Sequence, residues 1–222
     1  MSLYTEHRTH SKQAAERKIA ADALYYDMFF KKGMSILDVG CSTGTFELND
    51  PKNIVGLDID KDAIEIAQKD GLNCRYFDVG SNKLPFKNNT FDAVYCRSVF
   101  AHIKNHLNLL REMKRILKSN GKIIIYTADV KILKFEFFED YTHISPFTKE
   151  SLKHILYDAG FRNYKVYNLP IRMPGMGFLY RNGLPAKNVL SIEKFILNFP
   201  ITSKLFCMLD NQVGLLAEVY KK

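Results

Sequence analysis

Two sets of residues in this sequence could do chemistry: carboxylates placed around a glycine turn, and histidines on segments that read as loops. Asp38-Val39-Gly40-Cys41-Ser42-Thr43-Gly44 follows a short apolar run, and Asp58 stands twenty residues after Asp38 at the end of a second run. Glycine at 40 and 44 lets a ligand come close to the backbone where a side chain would block it. A carboxylate at 58 can accept hydrogen bonds from both hydroxyls of a ribose. Strand, glycine turn, helix, strand, acid is therefore the order of a nucleoside site. The turn is not G-x-G-x-x-G, and no Lys-Ser/Thr pair follows as in a phosphate-cradling loop, so the ligand need not carry a pyrophosphate. A nicotinamide-dependent dehydrogenase, which needs the first of those patterns, is not supported.

The elements that must position these residues alternate. Apolar runs of strand length occur at Ser35 to Val39, Ile54 to Leu57, Asn73 to Phe77, Phe91 to Cys96 and Lys122 to Thr127. Between them Asp60 can cap a helix that Gly71 stops, and His106 to Ser119 carries a broad apolar face that ends near Gly121. Thr148 can cap a further helix stopped at Gly160, and another helix over about Lys12 to Lys31 precedes the first strand. Such alternation predicts βαβ units in a doubly wound, mostly parallel α/β sheet with helices on both faces. Its ligand site is expected at the carboxyl ends of the strands, where the strand order reverses.

Composition sets bounds on this reading. With 46% hydrophobic and 25% charged residues among 222, a disordered, collagenous or coiled-coil chain is excluded. The opening MSLYTEHRTHSKQAAERK has no apolar stretch of signal-peptide kind, no run reaches membrane-spanning length, and a cytoplasmic chain is expected. Four cysteines, Cys41, Cys74, Cys96 and Cys207, form no C-x-x-C pair, so reduced, packed thiols are expected and no metal ligand set is evident. The net charge of +8 sits at the ends: nine Lys/Arg against three Asp/Glu in 161–222, and six against four in 1–34. The middle, which holds the motifs, is neutral.

With the motifs in place, the chain resembles the class I S-adenosylmethionine-dependent methyltransferases, in particular their broad small-molecule, type 11-like group. The likeness runs through ILDVGCSTGTF at 36–46, VGLDID at 55–60, FDVGSNKLPFKNNTFDAVYCRSVFAHI at 77–103, LLREMKRILKSNGKIIIYT at 109–127 and FTKESLKHILYDAGF at 147–161. Ser42 departs from it, standing where the family usually has a glycine. The resemblance implies a Rossmann-like, seven-stranded sheet with an antiparallel last strand, and S-adenosyl-L-methionine as cofactor. It implies that Asp38, Gly40, Cys41, Ser42 and Gly44 shape the methionine end of the pocket, with Asp38 near the ammonium. Asp58 would hold the ribose, Ile59 would pack on adenine, and Asp78 and the Val79 amide would meet the adenine edge. Cys96 and Arg97 would line the methionine side, chiefly through backbone.

Methyl transfer from a sulfonium is an in-line displacement in which alignment does much of the work, and a general base is optional. By the resemblance His102 lies on the loop facing the donor methyl, and His143, in Asp140-Tyr141-Thr142-His143, lies on the segment that covers the acceptor. These two are the candidate catalytic residues, and an Asp or Tyr nearby could orient His143. His7, His10, His106 and His154 are expected on solvated faces. Cys96-Arg97-Ser98-Val99 lacks the Asn/Asp/Ser-Pro-Pro-aromatic motif of enzymes that methylate base amines in nucleic acid.

A single domain is expected over 1–222: a helical segment at 1–34, a cofactor-binding core at 35–168, an insertion or lid at 169–212 and a final strand at 213–222. The insertion combines Met173, Met176, Phe178 and Tyr180 with Arg172, Arg181, Lys187, Lys194 and Lys204. That mixture suits an amphipathic acceptor or a peripheral contact with an anionic membrane, and equally a dimer contact. The expected activity is methylation of a small-molecule or lipid- or sugar-linked acceptor on oxygen. Two rivals are RNA methylation, motivated by the basic C-terminal part, and a regulatory protein that binds the cofactor without turnover. Basic residues here are interleaved with Phe, Leu and Ile at helical spacing rather than with a stacking ladder of aromatics, which places RNA second.

Overall fold

The computed structural model describes residues 12–80, 83–170, 188 and 213–221. Strands β1 (Ile36–Val39), β2 (Ile54–Asp58), β3 (Cys74–Tyr76), β4 (Phe91–Arg97), β5 (Leu117–Ala128), β6 (Asn163–Pro170) and β7 (Val213–Tyr220) form one sheet in the order β3-β2-β1-β4-β5-β7-β6. The pairs β1–β2, β1–β4, β2–β3 and β4–β5 are parallel, and β7 runs antiparallel to both β5 and β6. This is the expected doubly wound sheet with its reversed last strand. The order turns between β1 and β4, so the loops leaving Val39 and Arg97 open side by side.

Period two along each strand sorts the core into two layers. Ile36, Ala93, Tyr95, Ile124 and Tyr126 face helix α1 (Lys12–Phe29) and the segment after it, meeting Tyr25, Tyr26, Phe29, Phe30 and Phe46. Leu37, Val39, Val94, Cys96, Ile123 and Ile125 face the other way, against α3 (His106–Ile116) and α5 (Lys149–Asp158) through Leu110, Met113, Leu152 and Leu156. Each fully enclosed Val, Leu, Ile, Phe or Met side chain among them contributes about 1.5–3 kcal/mol by leaving water. Aromatic rings dominate the α1 layer; Phe46 stacks on Tyr95 at 4.2 Å between centroids.

Local signals set the helix starts. In α2 (Lys61–Lys69) the Asp60 side chain accepts from the Ala63 amide, and Asn105 serves α3 in the same way at Asn108. Thr148 and Ser151 form a reciprocal capping box on α5. Gly71 and Gly160, at φ +76° and +87°, end their helices in the left-handed conformation.

Three expectations need correction. The helix after His106 ends at Ile116, not near Gly121, because Leu117 turns extended and pairs with Phe91 in the sheet. Gly121 serves a close approach instead: a Cβ there would lie 2.9 Å from the Lys118 carbonyl and 3.1 Å from that of Asp92. His106 is buried rather than solvated, with Nε2 2.8 Å from the Phe100 carbonyl and its ring edge-on to Phe147. The short helix expected after Gly44 is a single 3-10 turn, Glu47–Asn49.

A short helix α4 (Val130–Leu133) and a 3-10 turn, Lys134–Phe138, follow β5. The insertion expected at 169–212 lies outside the described residues apart from 169, 170 and 188, as do His7, His10 and Cys207. No described helix is long and apolar enough to cross a membrane.

Candidate active site at the sheet switch point

The turn after β1 is held by the carboxylate that ends β2. Asp58 Oδ2 accepts the Ser42 amide at 2.7 Å and Oδ1 accepts the Asp60 amide at 2.9 Å, so the acid is fixed by backbone on both sides. Gly40, Ser42 and Gly44 all take positive φ, at 85°, 52° and 77°. The glycines are required by protein contacts: a Cβ on Gly40 would lie 2.0 Å from Val99 Cγ2, and one on Gly44 2.6 Å from Leu72 Cδ1. Close packing of the turn against the β4 loop and α2 therefore requires glycine at both positions. Ser42 occupies a left-handed position without being glycine.

Asp38 points to the α1 face and is 3% exposed. Burial first, then the nearby Glu47 and Asp22 carboxylates, push its carboxyl well above the usual aspartate value. Arg97 lies on that same face, two residues beyond Tyr95, and its guanidinium meets Asp22 of α1 at 2.5 Å. Asp22 also accepts the Thr45 hydroxyl at 2.6 Å, and Arg97 lies 5.0 Å above the Tyr25 ring. The Arg97 side chain is therefore turned to α1, leaving its backbone at the turn. Cys96 alternates to the opposite face and is wholly buried.

Behind the turn, Cys41, Glu47 and Cys74 bring their polar atoms within 4.8 Å of one another, all buried. Both Glu47 oxygens lack a hydrogen-bond partner, and its carboxyl is pushed well above the usual range by burial and then by Cys74. Cys41, Cys74 and Cys96 are free thiols. On the open side, Ile59 is 60% exposed, and the Asp78 carboxylate accepts the Gly80 amide at 2.9 Å. Val79 is half-buried against the α3 layer.

The two candidate histidines, forty-one positions apart in the chain, come together with ring centroids 4.7 Å apart. Backbone stitches the loops that carry them: the Ile144 and Ser145 amides both donate to the Ala101 carbonyl, at 2.8 and 3.0 Å, and the Ser145 hydroxyl donates to the Ile103 carbonyl at 2.8 Å. His102 Nδ1 lies 3.2 Å from the Thr142 carbonyl and 3.0 Å from the Thr142 hydroxyl. His143 Nδ1 lies 2.7 Å from the Phe137 carbonyl, its ring stacked on that of Phe137. A carbonyl only accepts, so both rings carry their proton on Nδ1 when neutral, and the lone pair is on Nε2.

Asp140 completes the group. Its Oδ1 accepts the Thr142 amide at 2.9 Å and the Thr142 hydroxyl at 2.5 Å, and its Oδ2 lies 3.9 Å from His143 Nε2. Burial raises its carboxyl, but the Thr142 hydrogen bonds and the two histidines outweigh that and hold it below the usual aspartate value. Tyr141, beside it in sequence, is 91% exposed. The histidine loop borders the glycine turn, since Val99 abuts Gly40, and it borders the Asp78 loop as well, since Ile103 lies 3.5 Å from a Cβ built on Gly80.

Asp22, Thr45, Glu47 and Thr142 were not singled out from sequence. Period two from Tyr95 to Arg97 signals that Arg97 faces α1, but no pattern names Asp22 as its partner.

Comparison with known proteins follows this geometry. The profile of a family described as a methyltransferase domain matches residues 6–166. An uncharacterized protein of Methanocaldococcus jannaschii is 37% identical over 113 residues, covering 50% of this chain and 48% of that protein. The chain spans about half the length of the curated relatives it matches at this level. A protein of Staphylococcus aureus named demethylmenaquinone methyltransferase is 25% identical over 186 residues, covering 68% of this chain and 77% of the other. A crystal structure described as a SAM dependent methyltransferase, from Archaeoglobus fulgidus, shares the fold with a TM-score of 0.70, at 22% identity, over 99% of this chain and 98% of its own.

Proposed function

This chain belongs to the methyltransferase-domain family, and from that premise we propose that it transfers the methyl group of S-adenosylmethionine to an oxygen of a small-molecule or lipid- or sugar-linked acceptor. The observation that carries the cofactor assignment is the seat of Asp58 beside the left-handed turn at the switch point. Each of its oxygens has one lone pair engaged by a backbone amide and another left for a ribose hydroxyl. Gly40, Cys41, Ser42 and Gly44 then wrap the methionine end, with Cys96 and Arg97 contributing backbone. Exposed Ile59 offers an apolar surface for adenine to cover, and Asp78 and the Val79 amide meet its edge. Asp38, destabilised as an anion by burial first and then by its acidic neighbours, gains a counterion in the cofactor ammonium.

On the acceptor side, His143 is the group placed to take a hydroxyl proton. Its Nδ1 is committed to the Phe137 carbonyl, which leaves the Nε2 lone pair as the basic site. His102 shares that wall. Alignment of acceptor, methyl and sulfur supplies the larger part of the rate. A relative named for a demethylated menaquinone is in keeping with an apolar acceptor, as are the apolar and basic residues of 169–212.

The test is calorimetric titration with S-adenosylmethionine and S-adenosylhomocysteine, wild type beside Asp58→Ala, followed by an acceptor panel of hydroxylated small molecules, glycolipids, amines, RNA and protein. Binding lost in Asp58→Ala and transfer to a hydroxyl support the proposal. Methylation of RNA or protein alone overturns the acceptor, and a folded protein that binds neither compound overturns the cofactor.

A further inference from the structure

We infer that His102, Asp140 and His143 form a binding site for one divalent transition-metal ion of the zinc class. One ring nitrogen from each histidine and a carboxylate oxygen of Asp140 all lie within 4.8 Å of one another, and all three residues are half-buried, open enough to admit an ion. Both imidazoles present their Nδ1 to backbone carbonyls, of Thr142 and Phe137, which fixes the tautomer with the lone pair on Nε2. That outer hydrogen bond is what orients histidines that ligate metals. Asp140 is held likewise, its Oδ1 taken up by Thr142 and its Oδ2 turned towards His143.

The distances suit an ion better than an ion pair. His143 Nε2 and Asp140 Oδ2 stand 3.9 Å apart, too far for a hydrogen bond. In tetrahedral coordination two donors each about 2.0–2.2 Å from zinc stand about 3.4 Å apart, so these two need draw together by only about half an ångström to hold the ion. Two neutral imidazoles and one carboxylate sum to a single negative charge, which a dication complements. Borderline nitrogen donors with one carboxylate favour zinc and its neighbours over calcium or magnesium.

Three protein ligands leave a coordination position open, as in catalytic rather than structural zinc sites. Resting on the acceptor-side reading above, that position would take an oxygen of the acceptor. Metal binding itself does not depend on that reading.

The experiment is calorimetric titration of chelator-treated full-length protein with zinc chloride alone, with S-adenosylmethionine binding measured on the same samples. One zinc per chain is expected in wild type and none at that site in His143→Ala. Thr142→Val, which keeps all three ligands and removes the hydroxyl that orients Asp140 and His102, should weaken zinc about 10–100-fold. Cys74→Ser tests the buried Cys41–Glu47–Cys74 cluster and should leave zinc binding unchanged. No zinc binding by folded wild type, or binding lost in Cys74→Ser and kept in His143→Ala, overturns the inference. Loss of S-adenosylmethionine binding would bear on the cofactor proposal instead, so the two failures are distinguishable.

Discussion

Arg97 closes β4 on Asp22 of α1 at 2.5 Å, and the two side chains are only 16% and 4% exposed. This pair joins the helix that precedes the sheet to the strand end that borders the glycine turn. An enclosed ion pair is weak evidence of net stability, but removing one partner strands the other. Arg97→Met should therefore cost about 3–5 kcal/mol in denaturant unfolding, while the double variant Arg97→Met, Asp22→Asn should recover much of that. A double-variant loss equal to the sum of the Arg97→Met and Asp22→Asn losses would show that the pair is not coupled.

Asp38 ties the pH dependence of stability to the proposed cofactor site. Its folded carboxyl titrates above the unfolded value, so the folded state holds the proton more tightly. The stability of the ligand-free protein on this account falls as pH rises from the ordinary aspartate range through the folded value. Asp38→Asn should stabilise the ligand-free protein at neutral pH by about 1 kcal/mol and abolish S-adenosylmethionine binding. A cationic ligand lowers the Asp38 value, so binding should release protons and tighten with pH across that window. Calorimetry in buffers of different ionisation enthalpy reads the proton count directly.

Ser42 holds φ 52° where a side chain is strained. A left-handed residue costs about 1–2 kcal/mol, and glycine loses part of that advantage, about 0.5–1 kcal/mol, to its freer unfolded chain. Ser42→Gly should gain about 0.5–1 kcal/mol in thermal unfolding, with cofactor affinity kept, because the Ser42 amide and not its side chain meets Asp58. A loss of stability would point to an unseen role for the hydroxyl.

His106 titrates below the usual histidine value, chiefly because it is buried, with hydrogen bonds to backbone carbonyls opposing the shift. The unfolded chain then binds its proton more readily, so stability should fall as pH drops below about 6.5 and through the folded value. His106→Gln should flatten that acid limb in urea unfolding at pH 5 against pH 7.5. An unchanged limb would assign it to other groups.

Much of this protein was legible in the sequence because the signals are local. Apolar runs of strand length set the strands, Asp60 and Thr148 stand at helix starts, and the glycine turn with Asp58 twenty residues on stands at a strand end. The doubly wound order follows from that alternation, since parallel strands need crossover helices. The boundary after His106 was misread because Leu117 continues the apolar helical face, yet is used in the sheet.

Tertiary structure alone decided which distant side chains meet. Asp22 finds Arg97 across seventy-five residues, and His102 finds Thr142 across forty, through loops joined at Ala101 and Ile103. The burial that shifts Asp38, Glu47 and His106 is also a property of the assembled layers and not of neighbours in sequence. Sequence spacing shows a ligand set only when the donors share one helix or loop. Here two loops after adjacent parallel strands supply them, and only the sheet brings those loops together.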